Sequence, residues 1–253
     1  MEGLKKGLSG SALKWLAITT MLIDHIGAVV LTRILVYYHY APDLSIYDDS
    51  YSILYNIMVV TRTIGRLAFP IFCFLLVEGF QKTGNKYKYM LRMALFTVLA
   101  EIPFDLALSG KMFYWGYQNV MLTLLIGMLT MWGCSLMEEQ FAQRKLLLIA
   151  GCALCTGLGM LSAHFLQTDY AAKGILCIMV LYFFRHNRLW QSLTGALSLI
   201  WEAEAMISFL FIYQYNGQRG RQMKYLFYFF YPLHLLILYF ICYVFKIHWI
   251  SVI

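Results

Sequence analysis

An all-α bundle of transmembrane helices is the fold class the sequence predicts, and three observations carry that prediction. Hydrophobic residues make up 61% of the 253-residue chain and charged residues only 13%, about half the charged share of an ordinary globular domain. Several apolar runs exceed the roughly 18 to 20 residues that cross a hydrocarbon core of about 30 Å. Basic residues collect in short connections between those runs, as in cytoplasmic loops. The net charge of +7 therefore implies no nucleic-acid partner; the partner it implies is the lipid bilayer.

The chain reads as one domain, residues 1–253, without a soluble module, linker, internal repeat or low-complexity tract. Its start, MEGLKKGLSGSALKW, is like the charged region of a signal peptide. The apolar run that follows is too long and lacks a small-residue cleavage site, so a retained first helix is expected over about 14–38. Further helices are expected at about 53–80, 90–108, 119–137, 146–165 and 171–184, with a last one at 225–246. Between these, 189–201 and 204–214 predict two short broken helices hinged at WEAE (201–204). Each is too short to cross alone, and such breaks are tolerated only where protein or a cavity surrounds them. They often lie near a binding site.

With a cytoplasmic N-terminus this polytopic arrangement has about nine spans. Fourteen of the twenty basic residues then share one side: Lys5, Lys6, Lys14, Lys82, Lys86, Lys88, Arg92, Arg144, Lys145, Arg185, Arg188, Arg219, Arg221 and Lys224. Asp43, Asp48, Asp49 and Asp169 share the other. This is the positive-inside pattern of a multi-pass protein of the cell (inner) membrane. An eight-span alternative, with 189–214 as one crossing, turns the basic loop YNGQRGRQMK outward and weakens the pattern. Pro70, Pro103 and Pro232 fall within expected helices as kinks. The six cysteines all lie in apolar segments, and the Cys152/Cys155 C-x-x-C has neither a second pair nor a nearby histidine. Packing accounts for them, and no metal is expected.

Ionisable residues at membrane depth cost a few kcal/mol each and mark function by default. Asp24 and His25 stand together in MLIDHIG. Eleven residues separate Lys14 from His25, which returns to within about 20° of the same helix face and spans roughly 16 Å. With Lys14 at the membrane edge, His25 lies near the midplane. The last helix repeats the arrangement with Lys224 and His234, the latter in YFFYPLHLL beside Tyr231. Two imidazoles thus share one level if these helices are neighbours; the plainer reading is a histidine hydrogen-bonded to a backbone carbonyl. Asp24 lies about 80° round the helix from the Lys14/His25 face, so His234 is the better partner for His25.

Other groups at depth are Glu78, Glu101 and Asp105, together with Arg62 and Arg66. The two arginines share a helix face and suit an anion site or an ion-pair network with Glu101. In YNGQRGRQMK, the turn-like Asn216-Gly217 precedes Arg219, Arg221 and Lys224, cations that can hold phosphates or simply mark a cytoplasmic loop. No Walker A, G-x-G-x-x-G or H-E-x-x-H motif is present, so nucleotide hydrolysis and zinc protease chemistry have no support.

The segments LKWLAITTMLIDHIG, IGRLAFPIFCFLLVEGFQKTGNKYKYMLRM, TDYAAKG and YNGQRGRQMKYLFYFFYPLHL resemble, in order and spacing, the TraX family, whose namesake acetylates the N-terminus of conjugative pilin. The resemblance covers nearly the whole chain. TDYAAKG carries Ala171 where the family's DYG leads one to expect glycine. The Lys14 to His25 spacing is also similar to a first-helix motif of the broad membrane acyltransferase group that O-acetylates polysaccharides.

The resemblance implies acetyl-CoA as donor. It implies acetyl transfer to an amine or hydroxyl of an unidentified acceptor, a pilin-like peptide, glycan or small molecule, at or across the membrane. His25 would then be general base or acyl carrier, with His234 or Asp24 setting its tautomer. Lys14, Arg66, Asn216, Arg219, Arg221 and Lys224 would hold the donor, Arg66 facing the developing oxyanion. Arg62, Glu78, Glu101, Asp169 and Tyr231 would meet the acceptor. Two other classes stay open: a proton-coupled transporter, which the lack of an inverted repeat speaks against, and a non-catalytic assembly factor for a surface structure.

Overall fold

The computed structural model describes residues 7–40, 49–221 and 224–253, without the side chains of 224–227. Helix α1 (Gly10–His25) begins at Ser9, whose hydroxyl accepts from the Ala12 N–H at 3.2 Å. Directly after His25 the chain widens into a π-helical stretch, Ile26–Leu31, and continues as α2 (Thr32–Tyr40). Helices α3 (Asp49–Gly65) and α4 (Ala68–Lys82) form a second long rod, bent where they meet. Then follow α5 (Lys86–Ser109), α6 (Val120–Gln140), α7 (Lys145–Phe165), α8 (Ala171–Phe183), α9 (Arg188–Ser198), a 3-10 turn (Ala203–Ile207), α10 (Ser208–Tyr213) and α11 (Lys224–Val244). Asn85, Asn119 and Asn187 cap α5, α6 and α9 through their side-chain oxygens, the role short polar side chains favour at helix starts.

Counted as rods, the described residues make nine helical segments at the nine apolar runs of the sequence. Four of them, Gly10–Tyr40, Asp49–Lys82, Val120–Gln140 and Lys145–Phe165, are long and apolar enough to cross a membrane. One buried core joins α4, α6 and α8 through Phe74, Met128, Ile178 and Leu181; a second joins α1, α5 and α11 through Ile18, Phe104, Leu235 and Cys242. Helix α7 keeps Leu146, Ile149, Leu154, Leu158 and Phe165 exposed, an outward face suited to lipid. All six cysteines are free thiols.

The region 188–213 is a re-entrant hairpin. Its two ends meet, the Arg188 guanidinium lying 5.1 Å from the Tyr215 ring centre and 4.5 Å from that of Phe74. Between the arms, a Cβ on Gly195 would lie 2.3 Å from Phe209. The chain reverses after α9, at the expected hinge, so the single long crossing of the eight-span alternative does not form. At 1.5 Å per residue, the 11 residues of α9 reach only about 16 Å, which places the turn near mid-depth.

One end of the bundle is basic. Lys82 donates to the Tyr215 hydroxyl and the Gly217 carbonyl, both at 2.9 Å. Leu8 and Gly10 bond the carbonyls of Gln214 and Gln218 at 2.9 and 2.8 Å, and Arg185 pairs with Glu138 at 2.7 Å. Lys5, Lys6, Asp43 and Asp48 lie outside the described residues.

At the opposite end Arg33, fully buried, binds backbone carbonyls: Ile250 at 2.7 Å, Val29 at 3.1 Å, Leu106 at 3.4 Å, and Ala107. Leu106 and Ala107 belong to the last turn of α5, where carbonyls lack helical partners and carry the negative end of the helix dipole. The guanidinium thereby ties the π-helical stretch, α5 and the C-terminal segment together.

The connection before α8 holds Gln167, Tyr170 and Ala171 at φ of 51°, 64° and 42°. None is glycine, and each pays the left-handed penalty of about 1–2 kcal/mol. Ala171→Gly should therefore stabilise the fold by about 1 kcal/mol. The check is thermal unfolding in detergent, followed by a thiol-reactive dye reporting on the buried cysteines.

Candidate active site

His25 closes α1 at the point where α-helical winding gives way to π-helical winding, and His234 lies opposite on α11. The two rings meet edge to edge with centroids 4.9 Å apart and planes 19° from parallel, His25 Nδ1 lying 2.6 Å from His234 Nε2. His234 Nδ1 lies 2.6 Å from the Phe230 carbonyl oxygen. A carbonyl only accepts, so His234 Nδ1 carries a proton, and in the neutral ring Nε2 is the acceptor. His25 Nδ1 must then donate to it, which leaves the lone pair of His25 on Nε2. The ring of Tyr231 packs against both imidazoles, 6.1 Å from His25 and 5.8 Å from His234.

Asp24 points elsewhere. One residue along a helix turns the side chain by about 100°, and Asp24 faces α3, where Oδ2 receives Arg62 Nη1 at 2.5 Å. The helices approach closely because Gly65 and Gly27 lack side chains at the crossing. A Cβ on Gly65 would lie 2.1 Å from Asp24 Cβ, and one on Gly27 2.2 Å from the Thr61 hydroxyl. One turn on, Arg66 Nε pairs with Glu202 at 3.1 Å and lies within electrostatic range of Tyr170. The Tyr170 ring stacks on Phe69 at 3.6 Å. Tyr117 donates to Asp169 at 2.6 Å.

The expected pairing of the arginines with Glu101 is not formed. Glu101 instead accepts from Asn119, the N-cap of α6, whose amide also reaches the Thr97 carbonyl at 3.1 Å. Helix α5 turns Glu101 toward α6, whereas α3 turns its arginines toward α1 and the hairpin. Three buried oxygens in this region, Asp24 Oδ1, Glu101 Oε1 and Glu202 Oε2, receive no hydrogen bond. Between α3 and the hairpin turn lies an open cavity of about 420 Å³, lined by Met58, Val59, Arg62, Thr63, Arg66, Trp201, Glu202 and Glu204.

Other expected residues lie at the basic end. Glu78 sits between Lys82 and Arg188 at 2.7 and 3.2 Å, so it holds helix ends together and does not join the group around His25. Asn216 donates to the Gly7 carbonyl at 3.2 Å and accepts from Gln218 N–H at 3.0 Å, which commits its amide to the loop's own shape. Arg219 donates to the Lys82 carbonyl at 2.5 Å and Arg221 is exposed. Gly217 and Gly220 take φ of 80° and 67°, and a Cβ on Gly220 would strike the Ser11 hydroxyl at 2.1 Å. The loop thus folds over the start of α1, near half-buried Lys14. Lys224 opens α11; its side chain lies outside the described set. Arg66, grouped with these residues in the sequence reading, is about 24 Å of helix away from Lys82.

Glu202, Tyr117, Tyr170 and Asn119 are site residues that sequence reasoning missed. Glu202 carried a signal as an acid within the hinge WEAE, and Tyr170 as part of TDYAAKG.

Paired ionisable side chains inside a bundle of apolar helices define an integral membrane protein. The family model for TraX protein matches residues 9–242, and the chain belongs to the TraX family. It is 28% identical over 196 residues, 70% of this chain and 80% of the relative, to a "Probable fimbrial assembly protein FimC, serogroup H1" of Dichelobacter nodosus. No solved structure matches.

Arg62→Met should leave Asp24 without its partner at depth. We expect a loss of about 2 kcal/mol, less than for a fully buried pair because Arg62 is partly exposed. Adding Asp24→Asn should recover most of it, read as a double-mutant cycle in thermal unfolding.

Proposed function

We propose that the protein is a membrane-embedded acetyltransferase, serving a pilus- or fimbria-related process. It moves an acetyl group from cytoplasmic acetyl-CoA to an amine or hydroxyl of an acceptor at or across the inner membrane. The observation that carries this reading is the chain from Phe230 carbonyl through His234 to His25, which leaves a basic nitrogen, His25 Nε2, in the bundle interior. The family and its fimbrial relative support the pilus-related setting.

On this reading the N-terminus and the basic end face the cytoplasm. The CoA phosphates rest on Arg219, Arg221, Lys14 and Lys224 over the start of α1, where the positive end of the helix dipole also favours anions. From Gly10 to His25 is about 22 Å along the helix, so the pantetheine arm runs beside α1. His25 Nε2 takes the proton of the acceptor nucleophile as it attacks the thioester carbonyl. The adjacent Arg62, whose charge reaches His25, steadies the oxyanion. Collapse breaks the C–S bond, and the leaving thiolate recovers the proton from His25. His234 fixes the tautomer and holds the ring, as an orienting partner does in other base-assisted transfers.

Membranes containing the protein, given acetyl-labelled CoA, should pass label to a membrane-bound acceptor, and His25→Ala should abolish the transfer. His234→Ala should lower the rate by roughly 10²-fold, with part recovered in His234→Gln, whose amide oxygen can accept from His25 Nδ1. An active His25→Ala protein, or wild-type membranes that neither transfer nor hydrolyse the label, would sink the proposal. The second outcome would favour transport or assembly.

A further inference from the structure

Helices α5 and α11 end side by side, each in a left-handed turn. Gly110, at φ 72°, closes α5. Lys246, at φ 58°, closes α11, with the Ile247 N–H on the Cys242 carbonyl at 2.9 Å and the Lys246 N–H on that of Tyr243 at 3.0 Å. These two bonds make a Schellman cap. Glycine suits such a position, and a lysine there strains the backbone. The turns touch each other: the Val252 N–H donates to the Leu108 carbonyl at 2.8 Å, and a Cβ on Gly110 would lie 2.7 Å from the His248 carbonyl oxygen.

Polar bonds made inward shape both turns and leave large apolar side chains outside. Buried Asp105 accepts from the Tyr114 N–H at 2.7 Å, and the Ser109 hydroxyl accepts from the Lys111 N–H at 3.1 Å. The Trp249 indole N–H donates to the Lys246 carbonyl at 2.9 Å, so the ring needs no polar partner elsewhere. Outward stand Met112, Phe113, Trp115, Phe245 and Trp249, and Trp115, at 85%, is the most exposed large apolar side chain among the described residues. Residues 110–118 and 245–253 carry two charges, Lys111 and Lys246, and no acid.

Three observations say what covers this patch. The first is height. The 24 residues of α5 rise about 36 Å from the basic end, a little past a hydrocarbon core of about 30 Å, which puts Gly110 at headgroup level. The second is continuity: Leu233, Ile237, Phe240 and Val244, at spacings of four, three and four, form an exposed stripe of α11 that leads directly into Phe245. The third is chemistry. Indole and phenyl rings beside lysines that can extend toward water are what a membrane–water boundary selects.

We propose that the two turns form one interfacial anchor, seated in the phospholipid leaflet opposite the basic end. The rings of Phe113, Trp115 and Trp249 lie at the acyl boundary, and Lys111 and Lys246 reach the phosphates. The anchor fixes the height of α11 in the bilayer and with it that of His234, which lies about 15 Å along the helix from Val244. It stands whether or not the protein is an acetyltransferase.

The test is depth-resolved quenching in phosphatidylcholine nanodiscs, with bromine on the acyl chains close to the headgroup or close to the methyl end, and with acrylamide added to the water separately. The emission lost in Trp115→Phe, and that lost in Trp249→Phe, isolates each indole. Both should be quenched strongly by the shallow bromines and weakly by the deep bromines and by acrylamide. Quenching by acrylamide alone would put the patch in water, and quenching by none of the three would mean that protein covers it; either result overturns the anchor. Lys246→Gly, which relieves the backbone, tests the phosphate contact. It should raise the unfolding temperature in dodecyl maltoside, which carries no phosphate, and raise it less in phosphatidylcholine. An equal rise in both would remove the lysine from the assignment.

Discussion

The Asp24–Arg62 pair orients the rest of the site. Charged groups inside a bilayer have no water to turn to, so each must find a protein partner or face a cavity. Asp24 finds Arg62 at 2.5 Å, and the pairing is possible because Gly27 and Gly65 let α1 and α3 cross with almost no side chain between them. Adjacent residues on a helix project about 100° apart. Fixing Asp24 on α3 therefore delivers His25 to α11, where His234 waits at hydrogen-bonding distance. The acid that stands next to the histidine in sequence acts on it by setting the rotation of the helix.

The broken segment 188–213 does for Arg66 what α1 does for Arg62. A continuous helix there would present apolar side chains at mid-depth; the hairpin turn instead brings Glu202 to Arg66. Its half-length arms are held at the basic end by Arg188, which reaches Glu78, Phe74 and Tyr215 together. The same need produces a different answer at Arg33, which is satisfied by carbonyls at the end of α5 and near the C-terminus. One requirement, that no cation at depth goes unpaired, thus fixes α3 on α1, the hairpin on α3 and the C-terminal segment on α5.

Much of this was legible in the sequence, and the boundary has a physical cause. Apolar runs longer than a bilayer announce themselves, so the helices stood at their expected places, and the acids of WEAE marked the hinge. Helical periodicity put Lys14 and His25 on one face and Asp24 on another. It tells which face a residue occupies and is silent on which helix lies beside that face. In a membrane bundle nearly every face is apolar, so the pattern that identifies neighbours in soluble proteins is weak. For that reason Glu101 was matched to the arginines and met Asn119, and Glu78 was expected near the site and met Lys82 and Arg188. The partners of Arg33 are carbonyls, which leave no mark in a sequence. The conformation at Ala171, where glycine was expected from the family pattern, was hinted at by resemblance and not by propensity.

Helix α1 joins the two ends of the proposed chemistry, and its packing bears on how they communicate. Lys14, Ile18, Met21 and His25 fall at spacings of four, three and four, one stripe on the helix. Ile18 and Met21 are 2% and 8% exposed and belong to the core shared with Tyr231 and Leu235 of α11. A thioester approaching His25 from the basic end must therefore pass side chains that now fill the seam between α1 and α11. Methionine adapts its shape at low cost, whereas a β-branched isoleucine does not, so Ile18 is the narrower point. The seam can widen only if α11 moves relative to α1 while His234 keeps its bond to His25, and the hinge for such a motion has to lie on the basic side of His234. Pro232, inside α11, removes one backbone hydrogen bond there. Such a motion also carries Phe230, whose carbonyl fixes the His234 tautomer, so donor access and base orientation are coupled through the middle of one helix.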